Sequence, residues 1–126
     1  MSRKTIPLHA AAMSKLSVVQ IIALLAGAAS PAWAQYTLTT LATFNGSNGA
    51  GPEGSLTLSG NTLYGTTIGG GATDDGVVFS VPVTGGPPTV LASLNGSNGA
   101  GPCAGVTLSG NTLYGTTNSG GANGCA

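Results

Sequence analysis

The 126-residue chain carries three basic and three acidic residues, so only 5% of it is charged, against roughly 25% in ordinary soluble domains. Twenty-two residues are glycine, more than double that residue's usual share of about 7%. Low charge with high glycine argues against an ordinary helical enzyme, and the lack of a Gly-X-Y period excludes collagen.

The first element is a leader. Arg3, Lys4, Lys15 and the single histidine, His9, fall within the first 15 residues. An apolar run over residues 16–29 follows, broken by Ser17 and Gln20, and leads to Ser30-Pro31-Ala32-Trp33-Ala34-Gln35. A basic start, a short apolar run and an Ala-x-Ala end are the three parts of a secretory signal peptide. The reading is a helical signal peptide over residues 1–34, cut between Ala34 and Gln35. The apolar run is shorter than the roughly 20 residues that a membrane helix needs. The expected mature chain is therefore secreted or at the cell surface, with no membrane span.

Beyond residue 34 lie 92 residues without Lys, Arg or His, whose only charges are Glu53, Asp74 and Asp75. Nucleic-acid binders neutralise phosphates with Lys and Arg, so no nucleic-acid partner is expected. A histidine-based catalytic triad, a histidine metal site, a Walker lysine and a basic membrane-binding patch are all excluded from this segment. No cofactor is implied.

The segment repeats with an offset of 50. Phe44-Asn-Gly-Ser-Asn-Gly-Ala-Gly-Pro52 returns as Leu94-Asn-Gly-Ser-Asn-Gly-Ala-Gly-Pro102, and Ser59-Gly-Asn-Thr-Leu-Tyr-Gly-Thr-Thr67 returns unchanged as Ser109 to Thr117. Aligned without a gap, residues 39–76 and 89–126 share 25 of 38 positions. The organisation read from this is a lead-in over 35–38, a first unit over 39–88, and a second unit over 89–126. The second unit is truncated before the counterpart of Val77-Val-Phe-Ser-Val-Pro-Val83.

Within one full unit four short strands are read. Thr89-Val-Leu-Ala-Ser-Leu94 is apolar and partly β-branched. Leu56-Thr-Leu58 and residues 62–67 flank a three-residue hairpin loop, Ser59-Gly60-Asn61. Residues 77–83 alternate, with Val77, Phe79, Val81 and Val83 on one face. Four strands in about 50 residues is the size of a propeller blade. The expected fold is all-β, an incomplete propeller-like array of four-stranded repeats, with a β-solenoid as the alternative.

The string Leu58-Ser-Gly-Asn-Thr-Leu-Tyr-Gly-Thr-Thr67, followed by Gly70-Gly71-Ala72 and Gly76-Val-Val-Phe-Ser-Val81, resembles the Gloeo/Verruco (GloVer) tandem repeat of bacterial exported proteins with varied C-terminal anchors. The Leu-Tyr-Gly-Thr-Thr core occurs at 63–67 and 113–117, and the resemblance covers essentially all of 39–126. It implies export and a propeller-like β architecture. It supplies no catalytic residue. The departure is copy number: the family forms longer arrays, and fewer than two units are present here.

Several residues invite sharper readings. Gly49-Ala-Gly51-Pro-Glu-Gly54 matches the spelling of a dinucleotide-binding loop, but a hairpin rather than a helix is expected after it, so a turn is the better reading. Glu53, Asp74 and Asp75 are acids that a calcium site or a glycosidase pair would use. Their counterparts Cys103, Gly124 and Cys125 favour solvated loop acids instead. Tyr64 with Tyr114, and Phe44 with Leu94, are repeated positions expected in the core. Asn45-Gly-Ser47 and Asn95-Gly-Ser97 are formal glycosylation sequons better explained as turns.

Cys103 and Cys125 both belong to the second unit and both replace acids of the first. Export places them in an oxidising compartment, so they are the candidate disulfide. The expected role is a structural or binding module that presents loops to a ligand, with carbohydrate and protein the classes considered. Self-association through open sheet edges is also expected. Two alternatives stand beside it: a fragment of a propeller enzyme acting on extracellular polysaccharide, and a truncated product without independent function.

Overall fold

The computed structural model describes residues 19–26 and 36–123. They form eight strands: β1 (Val19–Ala26), β2 (Tyr36–Phe44), β3 (Thr57–Ser59), β4 (Thr62–Thr67), β5 (Val77–Pro82), β6 (Thr89–Ser93), β7 (Thr107–Ser109) and β8 (Thr112–Tyr114). No helix occurs among the described residues. β1 pairs with β2, β7 pairs with β8, and β3, β4, β5 and β6 make one four-stranded sheet in that order. Every pairing is antiparallel, and none of the sheets closes into a barrel.

Within the leader, residues 19–26 form a strand where a helix is expected. Residues 19–26 pair along β2 from Val19↔Phe44 to Ala26↔Tyr36, with an irregularity between Ile21 and Ile22. Val19, Ile21 and Ile22 are β-branched and favour extended backbone. A strand edge such as that of β2 also offers rows of N–H and C=O groups that a second strand satisfies. The remainder of the leader, with the cleavage point at Ala34 and Gln35, lies outside the described residues.

The strands expected within the repeat all form, with one change at the hairpin. Ser59 pairs directly with Thr62, so the loop is the two residues Gly60 and Asn61, not three. Gly60 has φ +56°, and among the described non-glycine residues only Asp74 has positive φ. Glycine with positive φ at the first central position is the type II′ pattern, whose twist suits flanking antiparallel strands.

The main sheet does not follow the repeat frame. β3, β4 and β5 come from residues 39–88, but β6 belongs to the second unit, and its residues pair with β5 from Val77↔Ser93 to Ser80↔Thr89. The equivalent strand of the first unit, β2, pairs with β1 instead.

Alternation on β4 and β5 produces two different faces. The pairs Leu63↔Val81, Gly65↔Phe79 and Thr67↔Val77 share one face, because directly opposed residues in a ladder point the same way. This face meets β2. Leu41, Ala42 and Phe44 join Val77, Phe79 and Val81 in the buried core, with Leu63 packed beside them. The Phe44 and Phe79 rings meet edge to face, with centroids 4.9 Å apart and planes at 67°, a geometry favoured by the ring quadrupoles. Val77 and Thr67 are completely buried. The Thr67 hydroxyl accepts from the Val77 N–H at 3.2 Å and donates to the Gly69 carbonyl at 2.8 Å. Among the described residues, every buried side-chain polar atom has a partner.

The opposite face, carrying Tyr64 and Thr66, turns toward the second unit. There Thr57 Oγ1 donates to the Val106 carbonyl and Thr66 Oγ1 donates to the Ala104 carbonyl at 2.9 Å. The backbone of Gly54 lies against that of Ala104 and Gly105. The sheet is therefore held between β2 on one side and residues 104–106 on the other.

Candidate functional site

The loops at one end of the sheet form a repeated surface. In Asn45-Gly-Ser-Asn-Gly49 the Asn48 side chain accepts from the Asn45 N–H at 2.9 Å and donates to the Thr43 carbonyl at 3.2 Å. Asn45 Oδ1 accepts from the Ser47 hydroxyl at 2.9 Å and the Asn48 N–H at 3.2 Å. Gly46 and Gly49 exchange backbone bonds of 3.0 and 3.1 Å. Each polar bond recurs in Asn95-Gly-Ser-Asn-Gly99, with lengths within 0.2 Å. The Asn-Gly spellings thus mark turns in which the side chains of Asn45 and Asn48 tie the loop back on itself.

The next loop locks onto this one. Ala50 and Gly69 exchange bonds of 2.9 and 3.0 Å, and the Gly71 N–H donates to the Gly46 carbonyl at 2.9 Å. In the second unit Ala100 pairs with Ser119, and Gly121 reaches Gly96 at 2.8 Å. Three further bonds tie the units together: Gly101 N–H to the Asp75 carbonyl at 2.8 Å, Leu94 N–H to the Gly76 carbonyl at 2.9 Å, and Thr73 Oγ1 to the Leu94 carbonyl at 2.7 Å.

The acids sit within this loop end with separate tasks. Asp74, at φ +64°, accepts the Gly70 N–H on its carboxylate at 2.7 Å and so closes the β4–β5 turn. Asp75 is half-buried and contributes its backbone carbonyl, while Glu53 is exposed. Among the described residues, no three of His, Cys, Asp and Glu gather where they could hold a metal ion. Gly49-Ala-Gly51-Pro-Glu-Gly54 is followed by β3, so the motif does not open the helix N-terminus that would bind a pyrophosphate.

The aromatic positions divide. Phe44 and Leu94 are buried, as expected. Tyr64 is only half-buried, and Tyr114 is 58% exposed, so these tyrosines are not core. The cause is parity: Leu63 and Gly65 take the core side of β4, which leaves Tyr64 on the other.

Cys103 is exposed and forms no disulfide among the described residues. Its sulfur lies 3.4 Å from the Gly101 carbonyl and accepts from Asn118 Nδ2 at 3.6 Å. Its candidate partner, Cys125, lies outside the described residues. No helix among the described residues is long and apolar enough to cross a membrane.

The chain, with its two loops of identical bonding, matches one family model, the Gloeobacter/Verrucomicrobia repeat, over residues 30–126. The chain belongs to this repeat family. No curated protein and no solved structure matches it.

Proposed function

We propose that this Gloeobacter/Verrucomicrobia repeat chain is an exported module of a bacterial surface or extracellular protein. In this reading it has no catalytic role, and it holds loops on a rigid propeller-like scaffold for a carbohydrate or protein ligand. The observation that carries the proposal is the pair of Asn-Gly-Ser-Asn-Gly loops. They keep the same internal bonds although one follows the partly buried β2, paired with β1, and the other the largely exposed β6, paired with β5. A surface held constant while its support varies suits presentation to a ligand, and binding residues concentrate on loops fixed by a scaffold. The basic-apolar-Ala-x-Ala leader supports export, and the absence of Lys, Arg and His after residue 34 leaves few groups for acid–base chemistry.

Expression with the native leader in a Gram-negative host tests the export part. The expected product is extracytoplasmic and begins at Gln35, read by intact-mass and N-terminal peptide spectrometry. Retention in the cytoplasm with residue 34 still attached would contradict it.

A further inference from the structure

β2 and β6 hold the same place in their two units, yet they are bonded to different partners. β6 takes β5, through Val77↔Ser93, Val78↔Ala92, Phe79↔Val90 and Ser80↔Thr89, with an irregularity between Val78 and Phe79. β2 takes β1, through Gln20↔Thr43, Ile21↔Ala42, Ile22↔Thr40 and Ala23↔Thr39, with an irregularity between Ile21 and Ile22. Moved by the repeat offset of 50, Thr43, Ala42, Thr40 and Thr39 become Ser93, Ala92, Val90 and Thr89. Gln20, Ile21, Ile22 and Ala23 therefore stand in the register of Val77, Val78, Phe79 and Ser80. The correspondence runs one step further. Val19 pairs with Phe44, and in the other ladder the Leu94 N–H donates to the Gly76 carbonyl at 2.9 Å.

Both ladders also skip the same repeat position, Leu41 in β2 and Leu91 in β6. In β2 the carbonyl of the skipped residue accepts the Gly86 N–H at 2.8 Å, which fixes the bulge from outside the ladder. A bulge of this kind pins the register of whatever strand pairs beside it. Two apolar strands meeting without such a seat have several registers open, and a slip of one residue turns every side chain to the other face. None of residues 19–23 is identical to its counterpart in 76–80. The acceptor strand therefore sets the register, and the two donors share extended backbone and the large apolar pairs Ile21-Ile22 and Val78-Phe79.

We propose that the outer edge of β2 is a seat for a strand in the β5 register, and that residues 19–26 are an internal strap that occupies it and keeps the chain from pairing through it. β2 has no charged residue, so an uncovered edge would have none of the charges that discourage strand addition. Only residues 27–35 separate Ala26 from Tyr36, and a short tether gives the strap a high effective concentration against any free strand. The seat rests on register and stands whether or not the leader is cut at Ala34.

Amide exchange by NMR on the full chain, leader retained, tests the strap. Ile22→Pro combined with Ala23→Pro removes a ladder N–H whichever of the two residues turns it toward β2. Exchange across residues 37–43 should then quicken roughly tenfold or more, while β4 and β5 keep their protection. A peptide of residues 76–83 should bind this variant and slow residues 37–43 again, and should leave the parent chain unchanged. A scrambled peptide should do neither. Cross-linking reads the register even where the proline variant fails to fold. With Cys103→Ser and Cys125→Ser in place, Gln20→Cys with Thr43→Cys should oxidise to a disulfide, and Gln20→Cys with Thr39→Cys should not, since bridging needs closely opposed Cα atoms. Unchanged exchange in a folded proline variant, no peptide binding to it, or equal cross-linking of both pairs would overturn the proposal. Protection of residues 37–43 that grows with protein concentration would also overturn it, since the occupant would then be a second copy.

Discussion

Alanine placed at Gly65 and at Gly115 puts one substitution into two copies of the same six residues. At Gly65 the new methyl falls within 2.8 Å of Leu56 Cδ2 and closer still to the completely buried Phe79 ring, which is held against Phe44 and has little room to retreat. Overpacking of this kind costs about 1–3 kcal/mol, offset by roughly 0.5–1 kcal/mol from the conformational entropy that glycine loses on folding. The net expectation is a loss of about 1–2 kcal/mol. At Gly115 the methyl meets only Val106 Cγ1 at 3.2 Å, so the change should stay within about 0.5 kcal/mol, as for most surface substitutions. In urea, with a slope of about 1–3 kcal/mol per M for a small protein, the midpoint of the Gly65 variant should fall by roughly 1 M. That of the Gly115 variant should barely move. Equal shifts at both positions would refute the assignment of Phe79 to a seat on Gly65.

Three further expectations come from other parts of the structure. Phe79→Ala removes the completely buried ring that meets Phe44 and should cost about 3–5 kcal/mol, read as loss of the cooperative urea transition. Asn48→Ala breaks bonds to Asn45 and Thr43 and should cost about 1 kcal/mol. Asn98→Ala, which breaks the equivalent bonds to Asn95 and Ser93, should match it in thermal melts. The proposed Cys103–Cys125 bridge should leave no thiol for alkylation in exported protein, and its reduction should cost roughly 3 kcal/mol in the chain-entropy model. Two alkylated cysteines would reject it.

The strands were legible because their signals are local. Alternation in Val77-Val-Phe-Ser-Val and the Gly60-Asn61 turn mark β5 and the β3–β4 hairpin within a few residues of themselves. The sheet that joins them was not, because β6 pairs with β5 across a repeat boundary and nothing in Thr89-Val-Leu-Ala-Ser states which sheet it enters. The tyrosines misled for a related reason: an aromatic repeated in each unit suggests core, but its face depends on the parity of Leu63 and Gly65. In the leader, an apolar run fit for a helix contains enough Val and Ile to become a strand once β2 offers an edge. At the loops the Asn-Gly turns were readable, while the bond from Asp74 to Gly70 depends on one left-handed residue that the sequence marks only as Asp-Asp-Gly.

The account rests on one four-stranded sheet spanning residues 57–93, in which β4 is bonded on both sides, whereas β8 is bonded only to β7 among the described residues. Residue-resolved amide exchange by NMR measures this directly, since the strongest protection follows strands bonded on both sides. The account predicts slow exchange across Thr62–Thr67 and residues 77–81 and fast exchange at residues 115–117, despite their identity to residues 65–67. Equal protection of the two copies, or none in either, would contradict it.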